Sequence, residues 1–143
     1  VYMNAEIERE IVRYFIRKDR QDRIAWELQS KRKRDSIMWK LCDTRLFEKE
    51  VLYPQPYLSP KDLAEKLTDL GAQKTIYIIS FYEMCEPKEN CSVLEGIEQQ
   101  YDNPYLLYFG DGLGYFEGMQ EVGAPERCIL ISVERQKQMK NIK

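Results

Sequence analysis

Four consecutive cations, Lys31-Arg32-Lys33-Arg34, are the first residues in this chain whose type and spacing suggest chemistry. Arg20 and Arg23 lie just upstream, and Arg17 and Lys18 extend the basic region further. Such a set suits an anion, either a phosphate group or the acidic surface of a protein partner. At the start of a helix the free backbone N–H groups would add to that attraction, while the cations themselves would oppose the helix dipole. The competing reading is a solvated run: four adjacent residues on a helical chain point in several directions, and basic runs arise from composition alone.

The other constellations are weaker. Gly110-Asp111-Gly112-Leu113-Gly114 has the look of a phosphate-cradling loop, but such loops lead from a strand into a helix. Here apolar runs flank it on both sides and no lysine follows, so a strand-to-strand turn is the expectation. Asp102, Asp111, Glu117 and Glu121 offer oxygen ligands without the spacing of a calcium loop. Cys42, Cys85, Cys91 and Cys128 contain no C-x-x-C pair, which argues against zinc and for reduced thiols, although Cys85 and Cys91 are close enough in sequence to bridge. Asn90-Cys91-Ser92 matches the glycosylation sequon, an empty match without a secretory leader. The chain has no histidine, which removes Ser-His-Asp and Cys-His catalysis and every histidine-ligated metal site. Any acid–base chemistry would rest on carboxylate, Lys, Tyr or Cys. No catalytic residue, metal site or cofactor is therefore expected.

Charge is unevenly distributed. Residues 1–41 carry 11 Lys and Arg against 7 Asp and Glu, whereas residues 42–143 carry 11 against 17. The net charge of −2 and a pI near 5.4 disfavour a life on nucleic acid. No apolar run approaches the ~20 residues that span a bilayer. The N-terminal residues are charged and lack the apolar segment of a signal peptide, so a cytosolic protein without a membrane partner is expected.

These residues must be positioned by a small number of elements. A first helix is expected from an Asn4 cap to about Lys18, with Ile7, Ile11 and Phe15 as its buried stripe and Val12 and Tyr14 widening it. Glu6, Glu8 and Glu10 then sit in its early turns, with Glu10 placed to pair with Arg13, and Arg9, Arg13 and Arg17 form a solvated face. Residues 20–41 contain neither Gly nor Pro. Ile24, Leu28, Met38 and Trp39 share one side, and Trp26, Ile37 and Leu41 the other. Two short helices with a break near Ser30, itself the cap of the second, fit this pattern, and one helix buried on two sides is the alternative.

Residues 51–57, VLYPQPY, read as a stiff extended connection. Tyr53 and Tyr57 in it are the aromatic residues most expected to be exposed, as part of a protein interface. Ser59-Pro60-Lys61-Asp62 opens a helix buried through Leu63, Leu67 and Leu70 and closed by Gly71. Thr75–Tyr82 is apolar on both faces and reads as a central strand. Residues 83–90 form a polar loop, and a capping box at Ser92–Glu95 opens a helix to about Tyr101. The hairpin Tyr105–Phe109 and Leu113–Glu117 turns at Asp111-Gly112. A loop over 118–126, a strand over Cys128–Val133 and a polar, net basic tail over 134–143, helical or frayed, complete the chain.

The expected fold is α+β in one domain, residues 1–143. A helical layer of two to three helices (about 4–48) packs on a small mixed four-stranded sheet (about 59–133) with one crossover helix and a C-terminal hairpin. In this reading the crossover joins parallel strands over residues 75–109. The expected function is a non-enzymatic protein-interaction module, of the kind an inhibitor or immunity protein represents. In it the acidic C-terminal surface meets a basic partner and gains association rate by steering. The alternative is binding of nucleic acid or a phosphorylated ligand through Arg20, Arg23 and Lys31–Arg34, and a carboxylate- or cysteine-dependent enzyme comes third.

Overall fold

The computed structural model describes residues 5–41, 44–72, 76–80, 86–88, 92–98, 105–118 and 124–141. Three of the four cysteines (Cys42, Cys85 and Cys91), together with Asn4, Asn90, Asp102 and Glu121, lie outside these residues. So do the expected 83–90 loop in large part and most of the 118–126 loop.

Among the described residues the fold is α+β, with six helices and six strands. The helices are α1 (Ala5–Phe15), α2 (Gln21–Gln29), α3 (Arg34–Lys40), α4 (Pro60–Asp69), α5 (Val93–Glu98) and α6 (Val133–Asn141). The strands are β1 (Leu52–Pro54), β2 (Ile76–Ser80), β3 (Glu86–Lys88), β4 (Tyr105–Tyr108), β5 (Leu113–Glu117) and β6 (Arg127–Ile131), arranged in the order β1-β6-β5-β4-β2-β3. Every neighbouring pair is antiparallel. The mixed four-stranded sheet is therefore corrected in both strand number and direction.

The expected crossover joining parallel strands over residues 75–109 is corrected too, because β2 and β4 are antiparallel neighbours. Both β3 and β4 run antiparallel to β2, so they run parallel to each other with β2 between them. The chain reverses once before β3, and α5 then carries it from β3 to β4. A helix following an apolar strand does not reveal a short strand of ordinary composition in between.

The sheet separates two cores, as strict alternation of side chains requires. Tyr77, Ile79, Leu106, Tyr108, Phe116, Cys128 and Leu130 face the helices α1, α2 and α3, packing with Ile11, Phe15, Ile24, Leu28, Ile37 and Met38. Ile76, Ile78, Tyr105, Leu107, Tyr115, Ile129 and Ile131 face the other way, against Leu63 and Leu67 of α4 and Val93 and Ile97 of α5. The helical layer expected on one face thus has a counterpart on the other. All four residues of β4 are buried, as its unbroken apolar run implies.

Local signals account for the element ends. Helix α1 stops at Phe15, before Lys18, because Ile16 pairs with Phe47 and the Glu48 N–H donates to the Phe15 carbonyl. Ser59 accepts the Asp62 N–H at 3.2 Å with Pro60 in the first turn, so α4 begins as expected. It ends at Gly71, φ 105°, where the Gly71 N–H bonds the Thr68 carbonyl and the Ala72 N–H the Leu67 carbonyl. The hairpin turn holds Asp111 (φ 51°) and Gly112 (φ 77°) in left-handed conformations, closed by the Leu113 N–H on the Gly110 carbonyl. A Cβ at Gly112 would lie 2.1 Å from Ser132 Oγ, so the turn also needs glycine for space.

One further expectation changes. The 51–57 connection contains edge strand β1, paired with β6. The Gln55 N–H points inward to the Arg127 carbonyl, so by alternation the missing N–H of Pro54 falls on the outer edge. The polar tail takes the helical of its two expected forms as α6, with Ser132 Oγ accepting the Arg135 N–H at 3.1 Å. Arg135 then donates to the carbonyls of Asp111 and Leu70, tying the helix to the hairpin turn and to the end of α4.

Candidate interaction surface

Helices α2 and α3 come from the glycine-free stretch and are separate, with the break at Ser30–Lys33. Ser30 terminates α2 and does not cap α3 through its side chain; Lys33 occupies the cap position of α3 without a side-chain bond. Each helix buries one side. Ile24, Glu27 and Leu28 of α2 and Ile37 and Met38 of α3 point inward, with Leu41 just beyond. The opposite side of α2 presents Asp22, Arg23, Trp26 and Gln29, and that of α3 presents Asp35, Ser36, Trp39 and Lys40.

The tryptophans are the feature that sequence reasoning missed. Trp26 is 59% exposed and Trp39 50% exposed, so neither anchors the core. The alternative of one helix buried on two sides, with Trp39 beside Ile24, Leu28 and Met38, is corrected. It assumed one continuous helical phase across residues 20–41, and the break resets that phase. The signal that could have identified Trp26 was present: on α2 it falls opposite Ile24 and Leu28.

The expected site cations divide into three groups. Arg20 lies 3.9 Å from Asp19 at the surface, and Arg23 pairs with the buried carboxylate of Glu27 at 2.7 Å. Lys31, Arg32 and Lys33 are exposed on the turn, and among the described residues no carboxylate pairs with any of them. Lys33 Nζ instead sits 5.7 Å from the centre of the Trp26 ring, a cation–π arrangement. Lys31 follows the C-terminus of α2, where positive charge is favoured, whereas Lys33 stands at the N-terminal cap of α3, where it is not.

Arg34 does not belong to the surface set. Its guanidinium reaches inward and donates to both oxygens of Glu8, each at 2.7 Å, and to the Leu28 carbonyl at 2.7 Å. Glu8 is 2% exposed and also accepts the Tyr77 hydroxyl at 2.6 Å. Neighbouring Glu10 accepts the Tyr108 hydroxyl rather than pairing with Arg13. The early-turn carboxylates of α1 thus join α3 and the sheet, a role that dipole reasoning does not reveal.

Tyr53 and Tyr57 are exposed, Tyr57 at 67%. Arg127 stacks over the Tyr57 ring at 5.1 Å, and its Nε lies 3.8 Å from Glu117, which accepts the hydroxyls of Tyr105 and Tyr115. Burial raises both tyrosine pKa values well above the ordinary range, so the two hydroxyls remain proton donors to Glu117. Asp111 and Glu117 flank opposite ends of β5 and do not converge. Among the described residues no three metal-ligating side chains gather. Burial, with Glu126 adding to it, pushes the Cys128 thiol up to about 11, the reverse of what a nucleophile requires.

A groove of about 460 Å³ runs between the end of α1 and the start of α6, lined by Arg13, Lys18, Glu48, Glu50, Glu134 and Lys137 among others. Its polar groups serve the fold: the Lys18 N–H donates to Glu48, and Gln21 donates to the carbonyls of Arg13 and Ile16. No helix among the described residues is long and apolar enough to cross a membrane. No protein-family model, curated protein or solved structure matches the chain. Functional inference therefore rests on the surface itself.

Proposed function

We propose that this chain is a non-enzymatic protein-interaction module and that its binding surface is the outer side of α2 and α3. The observation that carries the reading is the exposure of both tryptophans on adjacent helices whose other large apolar residues are buried. Leaving an indole in water forgoes about 2 kcal/mol or more of burial, and Trp is the residue type most enriched where partners dock. The absence of histidine and the raised pKa of the buried Cys128 thiol remove histidine-assisted catalysis and this one thiol as a nucleophile.

A photo-crosslinking amino acid placed at Trp26 or Trp39 in the source cell tests this. Both positions should give the same discrete protein adduct, and the same probe at exposed Glu65 of α4 should not. Adducts absent from positions 26 and 39, or equally strong from position 65, would reject the surface. A nucleic-acid adduct would replace the protein reading with the alternative one.

A further inference from the structure

We infer that the partner meets this surface with an acidic segment that carries apolar side chains between its carboxylates. The inference rests on the reading of α2 and α3 as the binding surface and adds the chemistry of what binds there. Two observations support it. Lys31, Arg32 and Lys33 are consecutive, exposed and without carboxylate partners among the described residues, and they adjoin Trp26 through the Lys33 contact. Arg17 and Arg20 of this layer already lie by Asp19, Arg23 pairs with Glu27, and Arg34 is committed to the buried Glu8.

The chain as a whole has a net charge of −2, so this turn is a local positive patch on an acidic molecule. A complementary anionic segment is drawn to the turn and turned away from the 42–143 part, where 17 Asp and Glu outnumber 11 Lys and Arg, which favours orientation as well as rate. Trp26 supplies what a purely electrostatic site lacks. Its ring receives an apolar side chain while Lys33, already over the ring, engages the neighbouring carboxylate, and their mutual desolvation strengthens both contacts.

A protein segment fits this surface better than a nucleic acid strand. The cations of the turn are three consecutive residues beside one tryptophan, a compact site for one anionic segment, whereas a nucleic acid strand is held by a charged track with several aromatic side chains along it.

Defined probes test the inference. The intact protein is titrated with a peptide alternating Glu with Leu and Phe, with its Gln counterpart, and with oligothymidylate, following tryptophan fluorescence at two salt concentrations. The acidic peptide should bind, weaken as salt rises, and bind at least about tenfold tighter than the Gln peptide. The triple variant Lys31→Glu, Arg32→Glu, Lys33→Glu should lose about tenfold or more, and Trp26→Ala a similar factor as read by calorimetry. An unchanged denaturation midpoint in both variants shows that the fold is intact, because all four side chains are exposed.

Equal affinity for acidic and neutral peptides, no loss in the triple variant, or tighter binding of the oligonucleotide would each overturn the inference. Failure here with a protein adduct still formed from position 26 would leave the binding surface standing and remove only the acidic partner. Failure of both would remove the surface too.

Discussion

Arg34 shows how much one side chain's direction decides. It is the last of four adjacent cations, yet its guanidinium is largely buried and clasps Glu8 through two parallel bonds, while Arg32 two positions earlier is in solvent. Removing Arg34 leaves a carboxylate buried in the α1–α3 core with its guanidinium partner gone. Breaking a buried pair in this way costs about 3–5 kcal/mol, because desolvation of the surviving charge is no longer offset. Arg34→Ala should therefore lower the urea midpoint severely, whereas Arg32→Ala should change stability by no more than about 0.5 kcal/mol. Equal effects from the two substitutions would mean that the Glu8–Arg34 pair does not hold α1 to α3. Of the four adjacent cations, only Lys31, Arg32 and Lys33 can then belong to the proposed surface, since an arginine committed to the core is not available to a partner.

Among elements, β1 is the one whose sequence and role diverge most. Two prolines in 51–57 suggest a connection, but Pro54 sits in an edge strand with its ring nitrogen on the side that faces no neighbour. A missing donor there costs the sheet nothing and denies a second chain a place to pair. Pro54→Thr restores an outward N–H in a residue that favours strands. The variant should form concentration-dependent dimers or larger species in analytical ultracentrifugation while the original chain does not under the same conditions. If both sediment identically up to high concentration, Pro54 is not what guards the edge. The same strand indicates what a single sequence conveys. Signals completed within a few residues were readable: the Ser59 cap, the Gly71 terminus, the Asp111-Gly112 turn and the doubly buried β4. Features that depend on residues distant in sequence were not. Glu8 and Arg34 are 26 positions apart, β1 is defined only by its pairing with β6, and the direction of β4 depends on a reversal made before β3. The candidate surface falls between these cases. Its basic run was readable, but the exposure of Trp26 and Trp39 depended on where α2 ends.

At the scale of the whole molecule, the sheet carries buried tyrosines toward both helical layers. Tyr108 belongs to the core beneath α1–α3, and Tyr105 and Tyr115 to the core beneath α4 and α5. Burial, the largest cause in each case, raises all three hydroxyls far above the ordinary value near 10, with Glu10 acting further on Tyr108 and Glu117 on the other two. The Cys128 thiol moves in the same direction, from near 9 to about 11. Each group is neutral when protonated, so above its ordinary pKa the unfolded chain releases a proton that the folded chain keeps. The unfolded state then binds fewer protons than the native one, and stability falls as pH rises. The stabilisation is fully present below about pH 9, begins to decline there as the unfolded thiol ionises, and declines more steeply beyond pH 10 as the tyrosines follow. Urea midpoints measured from pH 7 to pH 11 should follow this course. The triple variant Tyr105→Phe, Tyr108→Phe, Tyr115→Phe should be less stable at neutral pH, because Glu10 and Glu117 lose donors, yet flatter above pH 10. Tryptophan fluorescence reports α2 and α3, and far-ultraviolet circular dichroism reports every helix and strand, so coincident transitions would show both layers lost with the sheet in one cooperative step. A midpoint that stays level to pH 11, or falls as steeply in the triple variant, would mean that the buried hydroxyls do not link the two cores to pH.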